Sequence, residues 1–266
     1  MMLSVQTAAR RLLCGAITAL KGPLVEVSVI RGPARGLRLK LDLVKGGENA
    51  SWLGRYDPAI LRRLAQICKE GWTVWDAGTY LGFYSVFFAR AVGPHGHVVA
   101  IEPDSRSLER TKSNVALNGY QNVTFLKAAI GAGTSEVEFV LSDTTTSHIS
   151  GNYVGACVSA VTTRNQQRIQ TRCMSPDQVL YECPAPPPQL VKMDIEGAEK
   201  DALQHASRLA EEIRPLILLE LHNPECDAEA WQFAQRFDYV LESMKTNRVI
   251  ENPADINGTV LLTPKS

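Results

Sequence analysis

The chain has 266 residues, of which 45% are hydrophobic and 21% are charged, and its 28 basic and 28 acidic residues give zero formal net charge. This composition supports a buried core and excludes a disordered chain. The balanced charge also disfavours a general nucleic-acid binder, which needs a basic excess or stripe. The six cysteines are scattered without a CxxC pair, so we expect the reduced thiols of a cytosolic protein.

Residues 1–71 are predicted to attach a helix, a β-hairpin and a covering segment to the main domain. The N-terminal stretch AARRLLCGAITALKG predicts a helix that packs on the protein. An interfacial helix that touches a membrane is the less favoured alternative, because the amphipathic pattern is weak. Residues 24–30 and 36–43 alternate apolar and polar residues and predict the hairpin. Residues 46–58 read as a loop, and Pro58 opens a predicted helix that ends near Gly71.

A second domain, residues 72–266, alternates apolar strands with helical stretches. The predicted strands are 72–77, 97–102, 122–127, 189–194, 215–221, 237–242 and 257–263. The predicted helices are 82–92, 104–118, 197–209 and 227–236. This alternation is typical of a sheet covered on both faces, which is a doubly wound α/β fold. Between the predicted strands 122–127 and 189–194, residues 131–175 suggest two further strands around a mobile loop, TTTSHISGNYVGA.

Polar side chains end four of these predicted strands: Asp76, Glu102, Asp194 and His222. In an open α/β sheet, ligands bind beyond the carboxyl ends of the strands, where the strand order reverses. Because four separate strands deliver polar groups to one edge, the sequence predicts a binding site there.

The first of these strands runs into the turn VWDAGTYLGFYS, in which Gly78 and Gly82 allow the backbone to approach a ligand closely. Glu102 follows Gly82 by twenty residues and ends the next predicted strand. A carboxylate at that place can accept hydrogen bonds from both hydroxyls of a ribose. The arrangement therefore predicts an adenosine-type ligand.

Two adenosine cofactors compete for this arrangement. A nicotinamide dinucleotide needs GxGxxG for its pyrophosphate, whereas this chain has GxxxG with Tyr80 in place of the second glycine. Asp76 would also repel a pyrophosphate, but it suits a ligand with a cationic amino-acid end and a sulfonium. The electrostatics favour S-adenosylmethionine.

The segments VWDAGTYLGFYS, VVAIEPD, NVALNGYQNV, LVKMDIEGAE and PLILLELH occur in this order over roughly residues 36–263. In these segments the chain resembles the FkbM-type S-adenosylmethionine-dependent methyltransferases. The resemblance implies a mostly parallel, seven-stranded Rossmann-like sheet with an antiparallel last strand. It also implies methyl transfer, commonly to a hydroxyl of a sugar, polyketide or related metabolite.

Carried over residue by residue, the resemblance assigns the methionine side of the cofactor to the loop after the first strand, and the ribose and adenine side to the next turns. The implied cofactor-binding residues are Asp76, Gly78, Tyr80, Gly82, Ser85, Glu102, Pro103, Asp104, Ala129 and Asp194. Tyr80 departs from the family, in which an asparagine is usual. Its hydroxyl could replace the asparagine amide, or its ring could fill the space of the methionine end.

The transfer site is expected at Asp194, Glu196 and His222. An attacking alcohol must lose its proton, which calls for a general base, and Asp194 and His222 are the candidates. Glu199 is predicted to stabilise the start of the 197–209 helix through an interaction with the helix dipole. Buried Lys192 needs a carboxylate partner, for which Glu220 is one choice.

A metal is the alternative to a base at this edge. Mg²⁺ bound to Asp194, His222 and Asn223 would lower the pKa of the acceptor hydroxyl. It is not favoured, because two neutral ligands and one carboxylate make a poor magnesium site. His148, in the predicted loop, is a further candidate to close over the cofactor.

The sequence thus predicts a cytosolic S-adenosylmethionine-dependent O-methyltransferase, without a required metal, acting on a small-molecule or lipid-linked acceptor. One alternative is a methyltransferase fold that binds cofactor or partner without turnover. An NAD-dependent oxidoreductase is disfavoured by the missing GxGxxG.

Overall fold

The computed structural model describes residues 14–18, 20, 22–133, 136–141, 148–149 and 167–265. Residues 14–18 are helical, as predicted, and the rest of the predicted N-terminal helix before residue 14 lies outside the described residues. Within the described ranges, no helix has the length and hydrophobicity that a membrane crossing requires.

The strands, in chain order, are β1 (Val25–Ser28), β2 (Arg38–Leu41), β3 (Thr73–Ala77), β4 (His97–Ile101), β5 (Val123–Leu126), β6 (Ala129–Ile130), β7 (Glu136–Leu141), β8 (His148–Ile149), β9 (Gln167–Met174), β10 (Leu190–Met193), β11 (Leu216–Glu220), β12 (Tyr239–Ser243) and β13 (Thr259–Pro264). The α-helices are α1 (Gly46–Trp52), α2 (Pro58–Ile67), α3 (Phe83–Ala91), α4 (Ser105–Leu117), α5 (Pro176–Glu182), α6 (Glu199–Gln204) and α7 (Pro224–Arg236). A π-helix at Leu209–Ile213 and a 3-10 helix at Pro253–Asp255 complete the described elements.

The main sheet has the strand order β12-β13-β11-β10-β3-β4-β5. β13 runs antiparallel to β11 and β12, and the other neighbouring strands are parallel. The predicted seven strands and the doubly wound α/β fold are therefore confirmed. From β3 the chain builds outward through β4 and β5, and it then returns to the opposite side of β3 with β10. The strand order reverses next to β3, which is where a ligand site is expected in such a sheet.

Both faces of the sheet are buried, which explains the continuous apolar character of its strands. Side chains alternate between two cores: Trp75 packs in the same core as Phe233 of α7, and Val74 packs in the core that contains Phe88 of α3. Leu39 of the N-terminal hairpin lies in this second core. The hairpin, in which β1 and β2 pair antiparallel as predicted, is therefore packed against the main sheet.

Residues 46–58, predicted as a loop, contain α1. That prediction was wrong because the glycines at its start suggested a turn, whereas Glu48 and Asn49 are buried and bonded to the chain preceding α1. Tertiary contacts therefore outweigh a poor local helix propensity. α2 begins at Pro58 as expected.

A smaller four-stranded sheet, β6-β9-β7-β8, interrupts the alternation. β7 and β9, whose sequences predicted strands, pair antiparallel along their length. His148 and Ile149 were predicted to be in a loop, but they form β8 and pair with β7. Residues 142–147 and 150–166, which hold the rest of that predicted loop, lie outside the described residues.

Two helix boundaries also differ from the prediction. α6 begins at Glu199 rather than at 197, because Glu196 and Gly197 both have positive φ, and the π-helix follows it. α7 begins at Pro224, three residues early. Asn223 caps it by accepting a hydrogen bond from the Cys226 N–H, and an asparagine followed by proline is a helix-start signal that the sequence carried.

Candidate functional site

The fold brings the predicted polar residues to one edge of the main sheet. β3 lies between β4 and β10, and Lys192 is opposite Asp76 in the register. Asp76 is the penultimate residue of β3 and Glu102 directly follows β4, while Asp194 and His222 follow β10 and β11. The edge is divided at β3 into a glycine-loop side, with Glu102, and a side with Asp194 and His222.

The loop after β3 depends on backbone conformations that favour glycine. Gly78 and Gly82 have φ of 79° and 80°, and Gly82 is the N-cap of α3. The Gly78 N–H donates to the Ile101 carbonyl at 3.0 Å, which ties the loop to β4. A Cβ at position 78 would lie 1.8 Å from the Asp194 carbonyl oxygen, so the two sides of the edge touch here without a side chain between them.

Replacing Gly78 by alanine is expected to destabilise the protein strongly, because it adds a backbone clash to the strain of a positive φ. The control is Gly258→Ala, since Gly258 has a similar φ of 76° and open space around its Cβ position. We expect urea denaturation to show a midpoint clearly lower for Gly78→Ala than for the control. Equal midpoints would contradict the close contact between Gly78 and Asp194.

Asp76 lies under the glycine loop and is fully buried. Its Oδ2 accepts a hydrogen bond from the Ser85 hydroxyl at 2.5 Å, and its Oδ1 is 3.4 Å from the Lys192 ammonium. Burial raises the pKa of Asp76, and the Lys192 ammonium opposes that rise. Asp76 was predicted to grip the ligand directly; its carboxylate is instead paired inside the protein, and a direct contact stays a prediction.

Lys192 connects the two sides of the edge. Its ammonium donates to the Gly78 carbonyl at 3.1 Å and lies 3.4 Å from carboxylate oxygens of both Asp76 and Asp194. Burial alone would lower the pKa of Lys192, but Asp194 and Asp76 outweigh burial and raise it. Lys192 is thus a buried cation, whose ion-pair partners are Asp76 and Asp194 rather than the predicted Glu220.

Glu102 is held in place by two backbone groups. Its Oε2 accepts from the Tyr80 N–H at 2.9 Å, and its Oε1 accepts from the Asp104 N–H at 3.1 Å. Burial raises the pKa of Glu102 to about 7. Each carboxylate oxygen can accept a second hydrogen bond, so the group keeps the capacity to receive two hydroxyls.

The predicted cofactor residues Pro103, Asp104 and Ala129 are all buried. Asp104 caps α4, with its Oδ1 accepting from the Arg106 N–H at 3.1 Å, and Pro103 is buried in the same turn. Ala129 is buried in β6, where it pairs with Cys173. A contact of these residues with the cofactor stays a prediction.

Tyr80 stands where the family usually has an asparagine. It has a φ of 52°, a conformation that asparagine adopts more readily than tyrosine. Its hydroxyl donates to Glu48 Oε1 at 3.1 Å, and the Arg110 guanidinium lies 5.9 Å from its ring centre. Glu48 is itself buried and paired with Arg110. The ring is therefore drawn toward α1, which anchors the N-terminal segment to the glycine loop.

His222 lies among carboxylates on the other side of the edge. Its Nδ1 is 3.0 Å from Glu199 Oε1, and its Nε2 is 3.4 Å from Glu196 Oε2 and 3.6 Å from Asp194 Oδ1. Burial alone would lower the pKa of His222, but Glu199, Glu196 and Asp194 raise it to about 9. The sequence placed Asp194, Glu196 and His222 together correctly. It missed Glu199 as a partner, because the two residues meet only through tertiary contact.

A possible cation site overlaps this group. Ligand atoms of Asp194, Glu220 and His222 all lie within 4.8 Å of one another. Asn223, the third ligand considered from the sequence, is instead the N-cap of α7. Burial, followed by the charge of Asp194, raises the pKa of Glu220 to about 7. The ligand set has two carboxylates, but the Lys192 ammonium already contacts Asp194.

Residues 57–60, 244–245 and 257–259 line a cleft of about 340 Å³. The Gly258 carbonyl accepts from the Leu221 N–H, directly before His222. Asp57, which also lines the cleft, accepts from the Tyr84 hydroxyl at 3.0 Å. The volume lies at the lower end of the range of small-molecule sites, which is roughly 300–1,000 Å³.

The strand order and the glycine loop define a Rossmann-like fold with the sheet topology of methyltransferases. The model of the methyltransferase FkbM domain matches residues 76–247. The chain belongs to this FkbM methyltransferase family, as the sequence segments indicated.

Two curated relatives match over short segments. An arsenite methyltransferase of Halobacterium salinarum is 38% identical over 61 residues, which are 23% of this chain and 16% of that protein. A protein-L-isoaspartate O-methyltransferase of Ignicoccus hospitalis is 38% identical over 58 residues, which are 22% of this chain and 28% of that protein. The matches thus span less than a third of each relative.

Solved structures of similar fold include a methyltransferase FkbM from Methylobacillus flagellatus KT, at 16% identity and a TM-score of 0.45, covering 79% of this chain and 54% of that chain. A further example is an S-adenosylmethionine-dependent methyltransferase from Aquifex aeolicus, at 17% identity and a TM-score of 0.42, covering 77% and 87% of the two chains. The assignment of the fold to this chain rests on its own strand order.

Proposed function

We propose that the protein is an S-adenosylmethionine-dependent O-methyltransferase that acts on a hydroxyl of a small metabolite, sugar or lipid-linked acceptor. The observation that carries the proposal is Glu102, a buried carboxylate fixed at the end of β4 beside the glycine loop. A carboxylate in this position suits the two hydroxyls of a ribose. Family membership supports the same reaction.

The glycine-loop side is proposed to hold the cofactor. Glu102 binds the ribose, and the backbone of residues 78–82 binds the methionine end. Asp76 and Ser85 fix that loop from below through their mutual hydrogen bond. Pro103, Asp104 and Ala129 shape the turn toward adenine. When bound, the cofactor supplies an electrophilic methyl group on a sulfonium.

The side with Asp194, Glu196 and His222 is proposed to hold and deprotonate the acceptor. The acceptor oxygen forms a bond to the methyl carbon as the carbon–sulfur bond breaks, so alignment of the oxygen supplies much of the rate. The hydroxyl proton passes to the Nε2 of neutral His222, and Asp194 and Glu196 orient the hydroxyl. The products are S-adenosylhomocysteine and a methyl ether, with one proton left on the imidazole.

Calorimetry with S-adenosylmethionine and with NAD⁺ tests the cofactor, and we expect binding of the first alone. NAD⁺ binding without S-adenosylmethionine binding would favour an oxidoreductase and contradict the proposal. For turnover, the purified protein is incubated with methyl-labelled cofactor and fractionated metabolites from native cells. Alkali release of the label would indicate a methyl ester, whereas a stable product whose labelled methyl carbon is bonded to oxygen by NMR supports O-methylation of a hydroxyl.

A binding module without turnover is the second candidate, and Tyr80 is the observation that favours it. The family asparagine would offer an amide to the methionine end, whereas the Tyr80 hydroxyl is bonded to Glu48. Cofactor binding without transfer to any fraction would support this candidate. The cytosolic location, the absence of a required metal and the two-domain division at residue 72 stay predictions.

A further inference from the structure

We propose that Glu199 is a positioning residue that fixes the tautomer of His222 and thereby directs Nε2 of the neutral ring toward the acceptor. This inference rests on the proposed function for the identity of the reaction. The geometry of the Glu199–His222 pair does not depend on that function, and it can be measured without turnover.

Glu199 is held rigidly. It is fully buried at the start of α6, and its Oε1 accepts from the Ile195 N–H at 3.0 Å. Its Oε2 lies 3.4 Å from Cys226 Sγ, which is placed to donate a weak hydrogen bond. These contacts restrict the rotation of the Glu199 carboxylate. An interaction with the helix dipole alone does not account for the burial of Glu199 or for its contact with the His222 imidazole.

The contact with Glu199 determines which nitrogen of the neutral His222 ring carries the proton. A carboxylate oxygen accepts hydrogen bonds, so the 3.0 Å contact favours a proton on His222 Nδ1 over one on Nε2, whose carboxylate neighbours lie at 3.4 and 3.6 Å. In the neutral ring, Nε2 then has the lone pair. Nε2 lies between Asp194 and Glu196, on the side of the edge where the acceptor is proposed to bind. The Glu199–His222 pair is arranged like the carboxylate and histidine of enzymes in which the carboxylate orients a catalytic histidine.

Charged groups from every neighbouring element act on His222. Glu199 comes from α6, Asp194 and Glu196 from the loop after β10, and Glu220 from β11, while the Lys192 ammonium lies behind Asp194. The Glu199 carboxylate is in direct contact with Nδ1, and its charge stabilises the protonated ring. Removing the charge of Glu199 must therefore move the titration of His222 to lower pH.

The same geometry could serve a metal, because a histidine ligand usually donates its other nitrogen to a carboxylate. One observation favours the base. The Lys192 ammonium is 3.4 Å from Asp194 Oδ2, and its positive charge opposes a divalent ion on that carboxylate.

The test is a ¹⁵N NMR titration of the full chain labelled at histidine, with His222→Gln identifying the His222 signals. We expect wild-type His222 to titrate near pH 9 and its neutral ring to carry the proton on Nδ1. Glu199→Gln keeps the volume and the acceptor oxygen, so it should lower the midpoint by about one pH unit or more with the same tautomer. The control Glu225→Gln, at an exposed carboxylate of α7 paired with Lys200, should leave the midpoint unchanged.

Three results would overturn the inference. A wild-type neutral ring with the proton on Nε2 would do so without any variant, which matters if Glu199→Gln folds poorly. An unchanged midpoint in folded Glu199→Gln would show that the contact does not govern the ring. Selective broadening of the His222 signals by stoichiometric Mn²⁺ would identify a metal ligand instead. Failure of the proposed function appears separately, as absent S-adenosylmethionine binding in calorimetry.

Discussion

Replacing Glu102 by alanine is expected to weaken S-adenosylmethionine binding by about 100-fold or more. The change removes the proposed acceptor of two ribose hydroxyls, and each hydrogen bond to a charged group contributes roughly 1.5–3 kcal/mol. It also frees the Tyr80 and Asp104 N–H groups that Glu102 holds at 2.9 and 3.1 Å. Titration calorimetry at pH 8 measures the dissociation constant directly.

Glu102→Gln separates charge from loop geometry, because its amide keeps the shape and one acceptor oxygen. We expect an intermediate loss of affinity for this variant. The control is Glu109→Gln on α4, an exposed carboxylate paired with Lys112, which should bind as the wild type does. Wild-type affinity in both Glu102 variants would show that the ribose assignment is wrong.

The same site predicts a pH dependence. Burial raises the pKa of free Glu102 to about 7, and the ribose hydroxyls require the ionised form. Affinity should therefore be highest above pH 7 and fall as the pH drops below it, because binding must then expel a proton. Glu102→Gln should lose this part of the dependence.

Replacing Lys192 by methionine is expected to destabilise the folded protein by about 3–5 kcal/mol, since it leaves a buried carboxylate without its cation. The Lys192 ammonium lies 3.4 Å from Asp76 Oδ1 and from Asp194 Oδ2, and Asp76 has no exposed surface. The free energy of unfolding is measured by urea denaturation with circular dichroism.

The double variant Lys192→Met with Asp76→Asn should recover part of the loss, because the unpaired charge is gone. Without Lys192, the folded state holds a proton on Asp76 more tightly than the unfolded state does. The variant should therefore be less destabilised at pH 5 than at pH 8. Lys200→Met, which removes an exposed ammonium paired with Glu225, should change the midpoint little. A Lys192→Met variant with the same free energy of unfolding as the wild type at pH 8 would contradict the buried ion-pair network.

The cofactor side could be predicted from the sequence because its signals are local. Gly78 and Gly82 are needed where φ is positive, and Glu102 ends the next apolar run at the expected distance. The strand order followed from the alternation of strands and helices. These features depend on neighbours along the chain, or on rules that all doubly wound sheets share.

The partners of the charged residues could not be predicted in the same way. Lys192 meets Asp76 because β10 pairs with β3 in a particular register, which no local pattern specifies. Glu199 reaches His222 from α6, and the Tyr80 hydroxyl reaches Glu48 in a helix that the sequence read as a loop. In each case the side chain alone leaves several partners open, and the packing of distant segments selects one.

A crystal structure of the protein with S-adenosylhomocysteine tests the central claim most directly. The account predicts that both ribose hydroxyls donate to the Glu102 carboxylate, with the homocysteine end over the backbone of residues 78–82 and the sulfur facing Asp194 and His222. A ligand bound elsewhere, or one whose ribose does not touch Glu102, would contradict it.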